Sequence, residues 1–300
     1  MTQQQTRPLA GVIWMLVTGL NFVAVTAIVK HVGDGLPAAQ AAFLRYALGL
    51  VFLLPVLGRM RAEGLGPRLM KLVGARGFVH TGGVALWFFA MTQIPISEVT
   101  AMNYLAPVYV TIGAALFLGE RLAARRIVAV CVALLGALII LRPGFREISP
   151  GHLAMLGTAV LFAGSYLIAK VLSTEVAPSV VVGWLSITVT IGLAPLAALV
   201  WVTPTVEQLG WLFLVAVFAT AGHYTMTLAF RAAPVAVTQP VTFLQLVWAV
   251  LLGWLVFDEG VDVWVLLGGA IILGAVSFIT WREAMLKRAQ ITPPDPATKT

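Results

Sequence analysis

Charge is scarce in this chain of 300 residues: aspartate, glutamate, lysine and arginine together make up 10% of it, against about a quarter in ordinary soluble domains. Apolar residues make up 60%, too many to leave a polar exterior for water, so the solvent of this chain is lipid. Cysteine is scarcer still. Cys131 is the only one, which excludes an intrachain disulfide and a cysteine-based metal cluster and leaves it a small residue facing lipid or the core. No GxxxxGK[ST] loop occurs, so ATP is not the direct driver. No small-residue cleavage site follows the first apolar run, which is also too long for a signal-peptide core, and the N-terminus is expected to be retained. Paired histidines with carboxylates at short helical spacing are missing, so no enzyme, metal or cofactor is expected.

Long apolar runs are what the chain has in plenty. A spanning helix needs about 20 apolar residues. Ten candidate runs stand out: Pro8–Val29, Pro37–Leu57, Leu72–Thr92, Ile96–Leu118, Ala124–Leu141, Gly151–Leu172, Pro178–Val202, Leu209–Phe230, Val235–Phe257 and Val261–Ile279. Orientation follows from lysine and arginine. With the N-terminus inside, Arg7, five cations from Arg59 to Arg76, three from Arg121 to Arg126, Lys170, Arg231 and four from Arg282 onward fall on the cytoplasmic side. That is fifteen of 19. Both termini are therefore expected inside, in a bacterial cytoplasmic (inner) membrane protein. The net charge of +7 reads as a topology signal, with the bilayer and a small molecule as partners and no nucleic acid. The tail, residues 283–300, ends in ITPPDPATKT and is expected to be a disordered cytoplasmic segment.

The chain is doubled. PISEVTAMNYLAPVYVTIGAALFLGE, Pro95 to Glu120, aligns without a gap with PVAVTQPVTFLQLVWAVLLGWLVFDE, Pro234 to Glu259. Met15, Leu16, Thr18, Ile28 and Lys30 recur as Met155, Leu156, Thr158, Ile168 and Lys170. Residues 1–142 thus form one five-helix repeat and 143–282 a second. An odd number of spans per repeat threads the second copy through the membrane in the opposite sense. The fold expected is all-α, ten transmembrane helices as two inverted repeats, an architecture in which secondary transporters place substrate at the repeat interface near the midplane.

A helix with an internal arginine, PAAQAAFLRYALGL, precedes ALWFFAMTQIPISEVTAMNYLAPVYVTIGAALFLGERL and a fifth helix ending GALIILRPG. This pattern resembles the EamA family of the drug/metabolite transporter superfamily over essentially the whole chain. The resemblance implies a pseudosymmetric carrier that moves small metabolites, often amino acids, outward. Two departures stand out: Glu98 occupies a position where the family has a small or hydroxyl residue, and Leu246 matches Pro107.

Polar groups that lipid does not tolerate mark the candidate site. Arg45 lies inside its span, about 12 Å deep at the helical rise, and the resemblance favours a structural role for it. Glu98 has two readings: a surface carboxylate or structural partner of Arg45, or a proton-coupling or amine-binding group at the outer mouth. His80 and Trp87 share a face of the third span, and His80 is either a hydrogen-bonded core histidine or part of the site. His223 and Tyr224 lie on the eighth span, where Ala219 and not His223 matches His80, so an asymmetric site is expected. Asn103, Tyr104, Tyr166, Gln239, Thr242, Gln245 and Trp248 complete an aromatic, hydrogen-bonding wall suited to a neutral zwitterion with an apolar or aromatic side chain. Gly268, Gly269 and Gly274 are assigned to helix packing.

The leading function is export of neutral or aromatic amino acids by alternating access, with Pro107 and Pro240 as hinges of the fourth and ninth spans. A multidrug or lipophilic-cation exporter is the alternative. A channel-like facilitator requires a more continuous polar lining than this chain supplies.

Overall fold

The computed structural model describes residues 8–33, 35–117, 124–145, 147–172, 175–232, 241 and 243–291. Nearly all of them are helical, and each expected run carries helix. The elements are α1 (Pro8–Gly33), α2 (Ala38–Gly49), α3 (Leu57–Ala62), α4 (Pro67–Met91), α5 (Ile96–Asn103), α6 (Leu105–Phe117), α7 (Ala124–Leu141), α8 (Pro150–Leu172), α9 (Pro178–Leu199), α10 (Val206–Ala232), α11 (Phe243–Phe257) and α12 (Val263–Ile291). Among the described residues, six segments are long and apolar enough to cross a bilayer, and Ile127–Leu141 and Leu244–Phe257 are shorter apolar helices. Large apolar side chains such as Phe78, Leu199, Leu116 and Leu255 stand exposed on the outside of the bundle, a surface that only lipid suits.

Two expected spans are broken, and proline explains each break. Between α2 and α3 the chain tightens into a 3₁₀ stretch, Leu50–Val56, that contains Pro55. The fourth span parts at Tyr104 into α5 and α6. Pro107 has no N–H for the carbonyl four residues earlier, that of Asn103, and its ring crowds that carbonyl, so the ladder fails one turn before the proline. Of the tail expected to be disordered, residues 283–291 continue α12, because REAMLKRAQ holds good helix formers and the first proline comes at 293, and residues 292–300 lie outside the described residues.

Helix pairs pack in a pattern that survives exchange of the two halves. α1 lies on α10 and α4 on α8; α6 lies on α8 and α1 on α11; α4 lies on α9 and α10 on α2; α7 pairs with α12 and α2 with α9. The α7–α12 seam is closest at Gly136 and Gly268, where a Cβ on either would stand 2.8 or 2.5 Å from the other's carbonyl oxygen. In lipid, where apolar burial gives little drive, such close approach is what holds helices together. Gly269 packs likewise on Leu246, whereas Gly274 has nothing within 4 Å.

Polar contacts gather at two ends. One end joins Lys30 to Glu259 and Arg142 to Asp262, and Gln40, fully buried, pairs with the Val202 backbone at 2.6 and 2.9 Å. The other end joins Arg68 to Glu175 at 2.9 Å and caps the Ala177 N–H with Glu63 at 3.2 Å. A small apolar cluster of Met60, Val73, Leu172 and Val180 seals that second end.

Candidate substrate site

α4 is the spine of the interior polar cluster. Arg76 and His80 are four residues apart and so share a face. The His80 ring lies 4.8 Å from Phe162 of α8, nearly parallel to it, because Gly83 one turn on leaves room: a Cβ there would stand 2.6 Å from that ring. Both ring nitrogens of His80 meet hydroxyls, Ser165 Oγ at 3.0 Å and Tyr46 Oη at 3.3 Å. A hydroxyl donates or accepts, so either tautomer is served. This is the hydrogen-bonded histidine of the blander reading, set inside a polar group.

Arg45, Arg76 and His223 lie close enough to His80 to act on it electrostatically. The Arg45 guanidinium sits 4.0 Å over the Tyr46 ring, and His223 meets Phe22 of α1 edge-on at 5.2 Å. Arg76, which the cation count puts toward the cytoplasmic side, is 7% exposed, with one nitrogen donating to the Val181 carbonyl at 3.1 Å. Tyr166 is 44% exposed although its neighbours are Phe162, Tyr46 and Arg76.

A second group faces α1 from the other side. Gly19 lets Trp248 close on α1, since a Cβ there would stand 2.9 Å from the indole and 3.7 Å from Gln245. Tyr104 reaches the backbone of Leu246. Asn103 Oδ1 is buried at the helix break with no partner among the described residues. Thr18 and Thr225 join α1 to α10 at 2.9 Å.

Glu98 stands apart from both groups and is not a solvated carboxylate. It is 4% exposed and accepts from His152 Nε2 at 2.5 Å, a partner other than the Arg45 of one sequence reading. His152 Nδ1 accepts the Ser149 N–H at 3.0 Å, which leaves Nε2 to carry the proton that it donates to Glu98. A pocket of about 450 Å³ lies beside Glu98, lined also by Gly260, Asp262 and Trp264. Sequence reasoning missed His152 because it sits at the very start of a span; the signal was the SPGH punctuation that opens α8. Trp87 meets its chain neighbour Phe88 edge-on at 5.4 Å, and Tyr224 is 66% exposed. Gln239, Pro240 and Thr242 lie outside the described residues.

The family model described as the EamA-like transporter family matches the chain twice, over residues 9–142 and 149–281. The chain belongs to the EamA-like transporter family. It is 31% identical over 294 residues to a riboflavin transporter of Vibrio cholerae, covering 94% of this chain and 97% of that one. It is 26% identical to an S-adenosylmethionine uptake transporter of Rickettsia bellii, covering 93% and 96%. It is 28% identical to a pseudopaline exporter of Pseudomonas aeruginosa, covering 89% and 94%. The three names describe transporters, span three cargo chemistries and include both uptake and export, so membership alone does not select the cargo or the direction.

Proposed function

We propose that this EamA-like transporter is a secondary carrier of the bacterial inner membrane, built from inverted repeats 1–142 and 143–282, that moves a planar heteroaromatic metabolite by alternating access. The observation that carries the reading is the opposite direction of α1 and its sequence counterpart α8. Lys30, on the last turn of α1, and His152, on the first turn of α8, both lie at the Glu259 end of the bundle, next to the start of α5. Two helices with the same Met-Leu-x-Thr pattern therefore run in opposite directions. The exchange-invariant packing supports the same inversion. The cation count makes the Glu259 end the outer one, with ten crossings and both termini inside.

The interior cluster supports a ring-bearing cargo. In the α4 cluster Tyr46, Phe162 and Tyr166 offer faces for stacking and Ser165 a hydroxyl, and in the separate group beside α1 Trp248 offers a face and Asn103 and Gln245 hydrogen-bond partners. Amino-acid export is the weaker reading: an aromatic side chain and a carboxylate find partners there, whereas among the described residues no carboxylate lies near the cluster to receive an ammonium. The test is counterflow of labelled riboflavin in proteoliposomes, against a panel of aromatic amino acids and lipophilic cations. Riboflavin exchange above protein-free vesicles is expected. Exchange of an amino acid or a cation alone would replace the heteroaromatic reading, and exchange of none would end the carrier reading for all these classes.

A further inference from the structure

Among the described residues the interior holds two guanidinium groups and no counter-charge. Arg76 is 7% exposed, makes one hydrogen bond to a backbone carbonyl, and its Nε is buried with no partner. Arg45 rests on the Tyr46 ring. Neither forms an ion pair. The described carboxylates with partners all sit at the bundle ends: Glu98 with His152, Glu259 with Lys30, Asp262 with Arg142, Glu175 with Arg68, Glu63 at the Ala177 N–H, and Glu207 with Trp211 on the first turn of α10. A buried, unpaired charge is costly, and in membranes such a group marks the path of a ligand. Arginine presents several donors in a rigid fork that matches the paired oxygens of a carboxylate or phosphate.

We propose that the space bounded by α2, α4, α8 and α10 binds an anionic oxygen group, carboxylate or phosphate, carried by the cargo, with Arg76 as its principal ligand and Arg45 as the second. Tyr46, Ser165 and His80 form a neutral hydrogen-bonded network beside it. The inference rests on the carrier reading only in naming the anion as part of the cargo; the anion site itself stands on the geometry of Arg76. It also narrows the cargo: an anion on a planar ring suits this site, and a cation does not.

The test uses the full-length protein in a zwitterionic detergent at constant ionic strength. Inorganic phosphate or benzoate is expected to raise the melting temperature where chloride does not, and Arg76→Gln and Arg45→Gln should each lose the rise while Arg76→Lys keeps part of it. Riboflavin 5′-phosphate is expected to bind about tenfold or more tightly than riboflavin, a difference that Arg76→Gln removes. No stabilisation by either anion overturns the site. Stabilisation by added phosphatidylglycerol alone overturns the cargo assignment and makes Arg76 a lipid ligand. Equal binding of the two flavins, unaffected by Arg76→Gln, overturns the inference and leaves the carrier reading standing. Anion stabilisation through Arg76 in a protein that exchanges no cargo keeps the site and removes the carrier.

Discussion

Lys30 and Glu259, at the ends of helices from different halves, form an ion pair that also holds the start of α5. Glu259 accepts the Ile96 N–H at 3.0 Å, and Lys30 Nζ reaches the Ile94 carbonyl at 3.4 Å. One carboxylate thus caps α5 and ties it to α1, closing the Glu259 end. Glu259→Gln keeps an acceptor for the cap and discards the charge; Lys30→Ala discards the cation. Both should loosen that end. With Cys131→Ala as background, a cysteine introduced by Gln245→Cys should react several-fold faster with an impermeant thiol reagent in either variant. Equal rates in wild type and variants would show that the pair does not hold the end shut. Lys170 and Glu120 stand at the matching positions of the opposite repeats, outside what the structure describes in side-chain detail.

The Glu98–His152 pair makes separable predictions for stability and for coupling. His152→Ala removes one donor to a buried carboxylate and should lower unfolding stability by about 2 kcal/mol, the scale of a hydrogen bond to a charged group. Glu98→Gln keeps an acceptor for His152 Nε2–H and should stay near wild type in the same denaturation assay. If Glu98 carries a coupling proton, Glu98→Gln transports down a substrate gradient but no longer responds to a pH gradient in liposomes. A variant that still responds takes Glu98 out of coupling and leaves it a structural acceptor.

Helix positions were legible because lipid imposes length and apolarity on each crossing, and each of the ten runs carries helix among its described residues. Proline logic placed the bend of the fourth span within one turn of where it falls, at Tyr104. What was not legible was which groups meet. Glu98 finds His152, and His80 finds Ser165, across sequence gaps that no helical period encodes. Arg76 misled for a different reason: its place on the span marks it as a surface cation, and only the packing of α9, whose Val181 carbonyl it reaches, shows it turned inward. The aromatics were half legible. Trp248 faces α1 through Gly19 as a wall residue, whereas Trp87 packs on Phe88. Trp87→Ala is accordingly expected to leave substrate protection in a thermal-shift assay unchanged.

The α7–α12 seam offers a control for packing. Gly268→Ala would put a methyl 2.5 Å from the Gly136 carbonyl, which is backbone and has no rotamer to escape into. Overpacking of this kind destabilises by about 1–3 kcal/mol. Gly274→Ala, with open space at its Cβ, should be neutral or slightly stabilising through helix propensity. Thermal melts of the two variants side by side decide it; equal melting temperatures would mean that the seam yields.

Pro107 is where structure and transport can be set against each other. Its missing N–H leaves the Asn103 carbonyl without its helical donor, α5 and α6 part at Tyr104, and Asn103 Oδ1 is left without a partner beside the break. Pro107→Ala restores the donor and should fuse the two helices, raising or preserving stability, since proline inside a helix costs about 3 kcal/mol relative to alanine. Membrane insertion and yield should not change. Transport should fall several-fold, because a straight fourth helix removes both the bend that lets its two parts move separately and the exposed carbonyl groups at the break. The stability gain and the transport loss come from one restored hydrogen bond, so a variant that gains stability and transports at the wild-type rate would separate them and leave the bend with no part in the transport cycle.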